Sequence, residues 1–461
     1  MNRDQHVSDR HLTASALASM MQGFCVRPSR ALVTDVQIDS RLCTNGSLFF
    51  ALKGTQVDGL SFIDDAQKRG AVAVVVQEGD RVQALATVSC AVIIVDDVLA
   101  ALHRLARSWV LLHPNATLIG ITGSVGKTTT KEALATILGA AGPTAKTPGN
   151  LNSEYGLPLS VFSLNEASRW GVFELGIDRV GEMERLVEIL TPSHALLTNI
   201  GISHLQKFGS TRTTAIEKAK IFHPALTTGF ITRACKHRSL IEHRARTKLL
   251  QYGSTDINAV DLGLDGWRLT HQGHSFTIRT VGRHLLEDVV GAITVADTLG
   301  IEPLTIAKAL EGFEPMRGRT SVKSGAITII DDTYNASLDS TSTIVDYLSS
   351  LSWRGAKRVV LGPMKELGSQ STRAHRTIGR LLASSSFGQT YLYGSEMQAA
   401  KEELTRYGYR GQLVWTEDFE ELSEQVQNQT QRGDLVLLKA SRSVAIDRLI
   451  APLQGRWSAH A

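Results

Sequence analysis

A short apolar run beginning at Thr117 ends in Gly120-Ile121-Thr122-Gly123-Ser124-Val125-Gly126-Lys127-Thr128, and a helical pattern follows at once. Glycines let the backbone turn so that successive N–H groups converge on an anion. The start of the helix adds a partial positive charge. A lysine placed as Lys127 can bridge the β- and γ-phosphates of a nucleoside triphosphate, and a hydroxyl placed as Thr128 can ligate Mg²⁺. Gly123, Ser124, Val125, Gly126, Lys127, Thr128 and Thr129 are therefore the candidate ATP-phosphate residues. The strict pattern with a glycine five residues before Gly126 is not met, because Ile121 stands there. The competing reading, a glycine turn that binds nothing, fits poorly with strand, loop and Gly-Lys-Thr in this order.

Other chemically capable residues fall at the ends of apolar runs. Glu174 closes one such run, where a carboxylate suits a hard cation, or merely caps a helix. His204 follows the strand-like run from His194, and a lone histidine is more often structural than functional. Lys218 reads by default as a solvated helix lysine. Asp331 to Asn335 and Lys439 to Arg442 also follow apolar runs. In parallel sheets such positions form the ligand edge.

The elements that must position these residues fit 461 residues and two to four domains, at roughly 100–200 residues each. The first part mixes strand-like runs (48–52, 71–76, 91–95) with helices, and His113-Pro114-Asn115 ends a helix over 102–112. Alternating strand and helix from Thr117 predicts a parallel sheet covered on both faces. A break near Glu314-Pro315 precedes four further strand candidates, in a dinucleotide-fold-like arrangement. The expected fold is thus three α/β domains: 1–113, a central phosphate-loop domain over 114–314, and 315–461.

Composition excludes several classes. A net charge of +4 is too small to imply a nucleic-acid partner, and the basic run from Arg233 to Lys248 reads as a solvated face. Four scattered cysteines lack disulfide or zinc spacing, no apolar run approaches ~18 residues, and Met1 to Leu12 has no signal-like apolar core. A reduced, cytoplasmic protein without membrane insertion is expected.

The loop resembles that of the Mur ligases, and further segments do so in that family's order. They are Glu174-Leu175-Gly176, Asn199 to Ser210, Lys218 to Phe222, Gly318-Arg319, Asp331 to Ser340, Leu361 to Gly368 and Lys439 to Ser443. Asp39-Ser40-Arg41, Leu48 to Gly54 and Asp58-Gly59 resemble the family's uridine-nucleotide domain. The resemblance implies an ATP-dependent amide ligase of peptidoglycan precursor synthesis working through an acyl phosphate. Of the branches, the one joining D-alanyl-D-alanine to UDP-N-acetylmuramoyl-tripeptide matches best, in the Tyr334-Asn335-Ala336, Met364-to-Gly368 and Lys439-to-Ser443 segments; a monomer is expected.

Roles follow from the resemblance. Thr128 and Glu174 would hold one Mg²⁺; His204 and Lys218, the latter as a carbamate formed with CO₂, would hold a second. Lys220 lies two residues on and competes for that assignment. Lys127 completes the catalytic set. Arg319 and Asn335 would contact ATP; Ser40, Arg41, Asn150, Asn152, Lys439, Ser441 and Arg442 would contact substrate. Departures fall at Leu285 and Asp288, where the family tends to place asparagines, at Pro363 in place of aspartate, and at Ala440 in place of glycine. Another Mur branch, a folate polyglutamylating enzyme, a non-ligase P-loop NTPase and a non-catalytic binding protein are the alternatives. The last would be expected to have lost Lys127 or Glu174.

Overall fold

A computed structural model describes residues 12–54, 57–202 and 205–458; His204 therefore lies outside the described residues. The strand-like runs of the first part enter a mostly parallel sheet. Its order is Phe24–Arg27, Ala91–Val95, Ala71–Gln77, Ser47–Phe50, Asp35–Gln37, with only Phe24–Arg27 antiparallel.

The sheet carrying the phosphate loop is parallel throughout, in the order Leu249–Tyr252, Phe230-containing Thr228–Thr232, His194–Leu197, Thr117–Thr122, Trp170–Glu174, Thr144–Lys146. Side chains alternate across a strand, and both faces here are apolar. Ile119, Ile121, Val172 and Leu196 enter one core with the helices Lys127–Ala141 and Arg283–Thr298. Leu118, Phe173, Ala195 and Leu197 enter the other, with the helices Val98–Leu111, Gly156–Val161 and Glu182–Leu190. The helix Val98–Leu111 also closes the core of the first sheet, so the two sheets share a continuous apolar interior. The Trp109 indole N–H donates to the Leu164 carbonyl (3.2 Å) across this contact.

An antiparallel hairpin sheet, Asn258–Asp261, Trp267–His271 and His274–Ile278, packs under the helix side. It was not expected from the sequence pattern. The last sheet runs Ser321–Lys323, Thr328–Asp332, Leu435–Lys439, Lys357–Leu361, Gln389–Tyr393, Gln412–Thr416, all parallel except the first. Ile330, Val359 and Leu437 face one core and Ile329, Val360 and Leu438 the other. The central and last sheets are therefore layered α/β structures whose strand ends face a common cleft.

Candidate active site

Three neighbouring strands of the central sheet set the site. Ile121 is in register with Glu174, and Thr122 with Leu197. The strand between them runs into the phosphate loop, and the chain departs to opposite sides on its two flanks. This is the switch point at which open parallel sheets bind ligands.

The loop is built by its glycines. Gly126 takes φ +87°, in the left-handed region that disfavours side chains, and begins the helix Lys127–Ala141. A Cβ there would collide with the Asp288 carboxylate, and one on Gly123 with the Thr198 hydroxyl. Asn199 fastens the loop from the flanking strand: its Oδ1 accepts from the Val125 N–H (3.0 Å) and its Nδ2 donates to the Val125 carbonyl (3.2 Å). The Ser124 hydroxyl accepts from the Gly201 N–H (2.8 Å). Lys127 folds back to donate to the Gly123 carbonyl (2.7 Å), and its burial lowers its pKa from the ordinary lysine value.

Glu174 is fully buried. Its Oε2 accepts from Asn152 Nδ2 (3.0 Å); its Oε1 receives no hydrogen bond among the described residues and lies 3.5 Å from Lys131 Nζ. Lys131 donates to the Thr147 carbonyl (2.9 Å) and pairs with Glu132 (2.7 Å). A buried carboxylate oxygen left open toward a polar cleft is a place for a hard cation. No group of three or more histidine, cysteine, aspartate or glutamate residues that could hold an ion is found among the described residues. Magnesium fits this setting, because it keeps waters and phosphate oxygens as most of its ligands.

Lys218 and Lys220 differ sharply. Lys218 is buried, and desolvation together with the Lys127 charge depresses its pKa well below the usual lysine range. Lys220 is partly exposed and pairs with Glu217 (2.7 Å) and Glu184 (3.5 Å), which hold it cationic.

The last sheet supplies the opposite wall. Arg319 stacks over the Tyr334 ring (4.1 Å), and its Nε has no hydrogen-bond partner among the described residues. Asp332 and Lys439 are register partners, and Lys439 Nζ bonds Asp332 Oδ2 (2.6 Å) and the Asn335 carbonyl (3.0 Å). Asn335 Oδ1 accepts from the Ala336 N–H (2.8 Å).

The resulting cleft, about 490 Å³, is lined by Gly123 to Thr129, Asn150, Asn152, Glu174, Lys218, Arg319, Asn335 and Lys439. Ser40, Arg41, Ser441 and Arg442 are not among its lining residues. Ser40 is buried in the first sheet's unit, and Arg41 is exposed and paired with Asp39 (2.6 Å). The Ser441 hydroxyl accepts from the Lys365 N–H (2.9 Å), and Arg442 pairs with Asp447 (3.0 Å). Asp288, marked by the resemblance as a departure, lines the cleft, and so do Glu154, Arg179, Glu182 and His284, to which the sequence assigns no role. Buried Glu154 pairs with Arg179 and Arg185 (3.1 Å), and its carbonyl meets His103 Nε2 (2.7 Å) from the helix Val98–Leu111. Spacing carries no signal for these residues, because only the tertiary packing brings them to the cleft.

Residues 32–109 match the description "Mur ligase family, catalytic domain", 121–296 "Mur ligase middle domain", and 316–442 "Mur ligase, glutamate ligase domain". A relative from Treponema pallidum, UDP-N-acetylmuramoyl-tripeptide--D-alanyl-D-alanine ligase, is 34% identical over 90% of this chain and 92% of its own length. The chain belongs to the Mur ligase family. The Bacillus subtilis ligase of the same name is 30% identical over 96% of this chain and 98% of its own. Among solved Mur ligase structures, MurF from Acinetobacter baumannii superposes with a TM-score of 0.85 at 27% identity, covering 96% of this chain and 99% of its own. MurF from Thermotoga maritima, in complex with ADP, superposes at 0.76 with 27% identity, over 93% and 98%. The three-part α/β architecture read from the sequence is that of this family.

Proposed function

We propose that this Mur ligase joins D-alanyl-D-alanine to UDP-N-acetylmuramoyl-tripeptide at the expense of ATP. The observation that carries the reading is the convergence of the phosphate loop, Glu174, Lys218 and Arg319 on one cleft between two sheets. The relatives' names supply the substrates.

A carboxylate and a triphosphate repel, so the site must gather positive charge before they can react. The N–H groups of Gly123 to Thr128 and the start of the helix orient the phosphates. Lys127 compensates charge on the γ-phosphoryl group, and Arg319 reaches the same region from the last sheet. The peptide carboxylate oxygen attacks the γ-phosphorus and ADP leaves, giving an acyl phosphate. The dipeptide amine then attacks the acyl carbon, phosphate leaves with the C–O bond electrons, and the amine loses a proton as the amide forms. Asn150 and Asn152 are the candidate contacts to the carboxylate-bearing substrate. Ser40 and Arg41 would meet the uridine nucleotide, and Ser441 and Arg442 the dipeptide end. Lys439 holds the Asn335 loop through its carbonyl.

Thr128 and Glu174 would hold one magnesium ion, and His204 with a carbamate on Lys218 a second; bound there, the ions would neutralise developing phosphate charge. A neutral amine adds CO₂ to give a carbamate and a proton. The buried, depressed amine of Lys218 supports that assignment over the ion-paired Lys220.

The test is ADP release with purified protein, ATP and magnesium. Sustained release beyond one equivalent is expected only when UDP-N-acetylmuramoyl-tripeptide and D-alanyl-D-alanine are both present, with the pentapeptide product visible by mass spectrometry. Turnover that ignores the dipeptide, or that accepts a folate glutamate acceptor instead, contradicts the reading.

A further inference from the structure

Asp288 lies on the helix Arg283–Thr298 where the Mur ligase resemblance leads one to expect an amide side chain. Its residue is 6% exposed, it lines the cleft, and its carboxyl group abuts the Cα of Gly126 at the turn of the phosphate loop. No hydrogen bond or ion pair of that carboxyl group is found among the described residues. Its neighbour Glu287, by contrast, is fully engaged, accepting from the Thr232 hydroxyl and from the Ser254 N–H (2.6 Å). A buried carboxyl without a donor, aimed at an anion-binding loop, is unfavourable as a carboxylate and more so once polyphosphate arrives.

A neutral carboxylic acid offers one donor and one acceptor at nearly the positions of an amide's N–H and C=O. We propose that Asp288 meets the bound nucleotide as a neutral acid, doing with its hydroxyl what an asparagine would do with its N–H. The inference rests on the nucleotide reading of this cleft.

The surroundings agree. Burial and the Glu287 charge push the Asp288 acid up to about 8, against the opposing pull of Lys127 from the phosphate-loop helix and Arg319 from the facing wall. Tyr252, on the adjoining strand, is held protonated by burial and by the same two carboxyls. His284, one turn earlier, is pushed down to about 4 and is neutral near pH 7. When phosphates engage Lys127 and Arg319, the two charges that favour the Asp288 carboxylate are redirected, and the acid form gains further.

The sign follows. The acid is the binding form, so affinity is full below the free-protein value and falls as pH rises through it. If only the acid form binds, the dissociation constant rises about tenfold between pH 7 and pH 9. The probe is MgADP, whose own last ionisation, near pH 6, is complete in this range. The experiment is calorimetric titration of the full chain with MgADP at pH 7, 8 and 9, for the wild type, D288N and D288A. D288N should bind at pH 7 much as the wild type does and should lack the additional tenfold loss at pH 9. The Asp288 charge supports the charge on Lys127, so its removal in D288N would steepen the loss of affinity with pH, opposite in sign to the difference expected here. D288A should bind about tenfold more weakly at pH 7, because donor and acceptor are both lost. Superposed profiles of wild type and D288N would overturn the inference. So would a D288N as weak as D288A at pH 7, or one that fails to fold, since either would make the ionised group the needed one. Wild-type protein that binds no MgADP at pH 7 would remove the nucleotide reading and this inference with it.

Discussion

Two lysines two residues apart have opposite fates. Lys220 sits among carboxylates at the surface, whereas Lys218 sits behind Lys127 with its charge disfavoured. Their spacing on the helix Thr211–Ala219 and its cap could not distinguish them, because burial is decided by which face meets the sheet. The carbamate assignment therefore predicts that K218A loses about 100-fold or more in turnover, in line with the loss of a metal-supporting group. K220A should retain near-normal turnover. A short carboxylic acid such as formate should restore part of the K218A activity by occupying the carbamate's place. Near-normal K218A rates, or a ¹³CO₂-derived NMR signal lost in K220A rather than K218A, would reject the assignment. Glu174 was legible as a site residue because it ends an apolar run. Asn199, which clamps Val125, was legible only as part of a family segment, since its contact spans two strands.

The phosphate loop is the element on which the site depends. Gly126 has a positive φ and no room for a Cβ. G126A should cost about 1–2 kcal/mol in stability from backbone conformation alone. It should also abolish measurable MgADP binding, because the displaced loop no longer converges its N–H groups. Denaturant unfolding and calorimetry read the two effects; an alanine variant with unchanged stability and affinity would show that the loop geometry is wrong. Elements with continuous apolar runs were read correctly from sequence: Ala71–Gln77, Ala91–Val95, Thr117–Thr122, Thr328–Asp332, Lys357–Leu361 and Leu435–Lys439 are all strands. The hairpin from Asn258 to Ile278 and the strand Gln412–Thr416 escaped notice. The hairpin strands Trp267–His271 and His274–Ile278 place apolar residues only at alternate positions, and Gln412–Thr416 is a short, partly buried strand at the edge of its sheet, so their partners decide their structure. The helix before His113 was placed, but it begins at Val98, where the Asp97 side chain caps Ala100 (2.7 Å).

At the scale of the molecule, the last sheet's unit is already docked on the central one. Asp339, at the start of the helix Leu338–Ser350, accepts from the Ile202 N–H (3.3 Å) and pairs with Lys236 (3.1 Å). Tyr347 on the same helix donates to Asp261 (3.3 Å). Lys236 belongs to the basic run between Arg233 and Lys248. Arg233 there pairs with Asp256 and Arg238 with Glu242 (3.6 Å), so these charges serve as intramolecular partners. No helix among the described residues is long and apolar enough to cross a membrane. This docking places Arg319 and the phosphate loop on the walls of one cleft, an enclosure that suits a water-sensitive acyl phosphate. Sequence order alone cannot convey such an arrangement, because the contacts join residues more than a hundred positions apart.

The peptide carboxylate is activated by phosphoryl transfer in this cleft on the reading proposed above. This activation is tested most directly by labelling the terminal carboxylate of UDP-N-acetylmuramoyl-tripeptide with ¹⁸O and analysing the phosphate released on turnover with ATP and D-alanyl-D-alanine. Carboxylate activation predicts one ¹⁸O atom per phosphate, carried over when the amine displaces phosphate from the acyl phosphate. Phosphate free of label, with its new oxygen drawn from water, would contradict it.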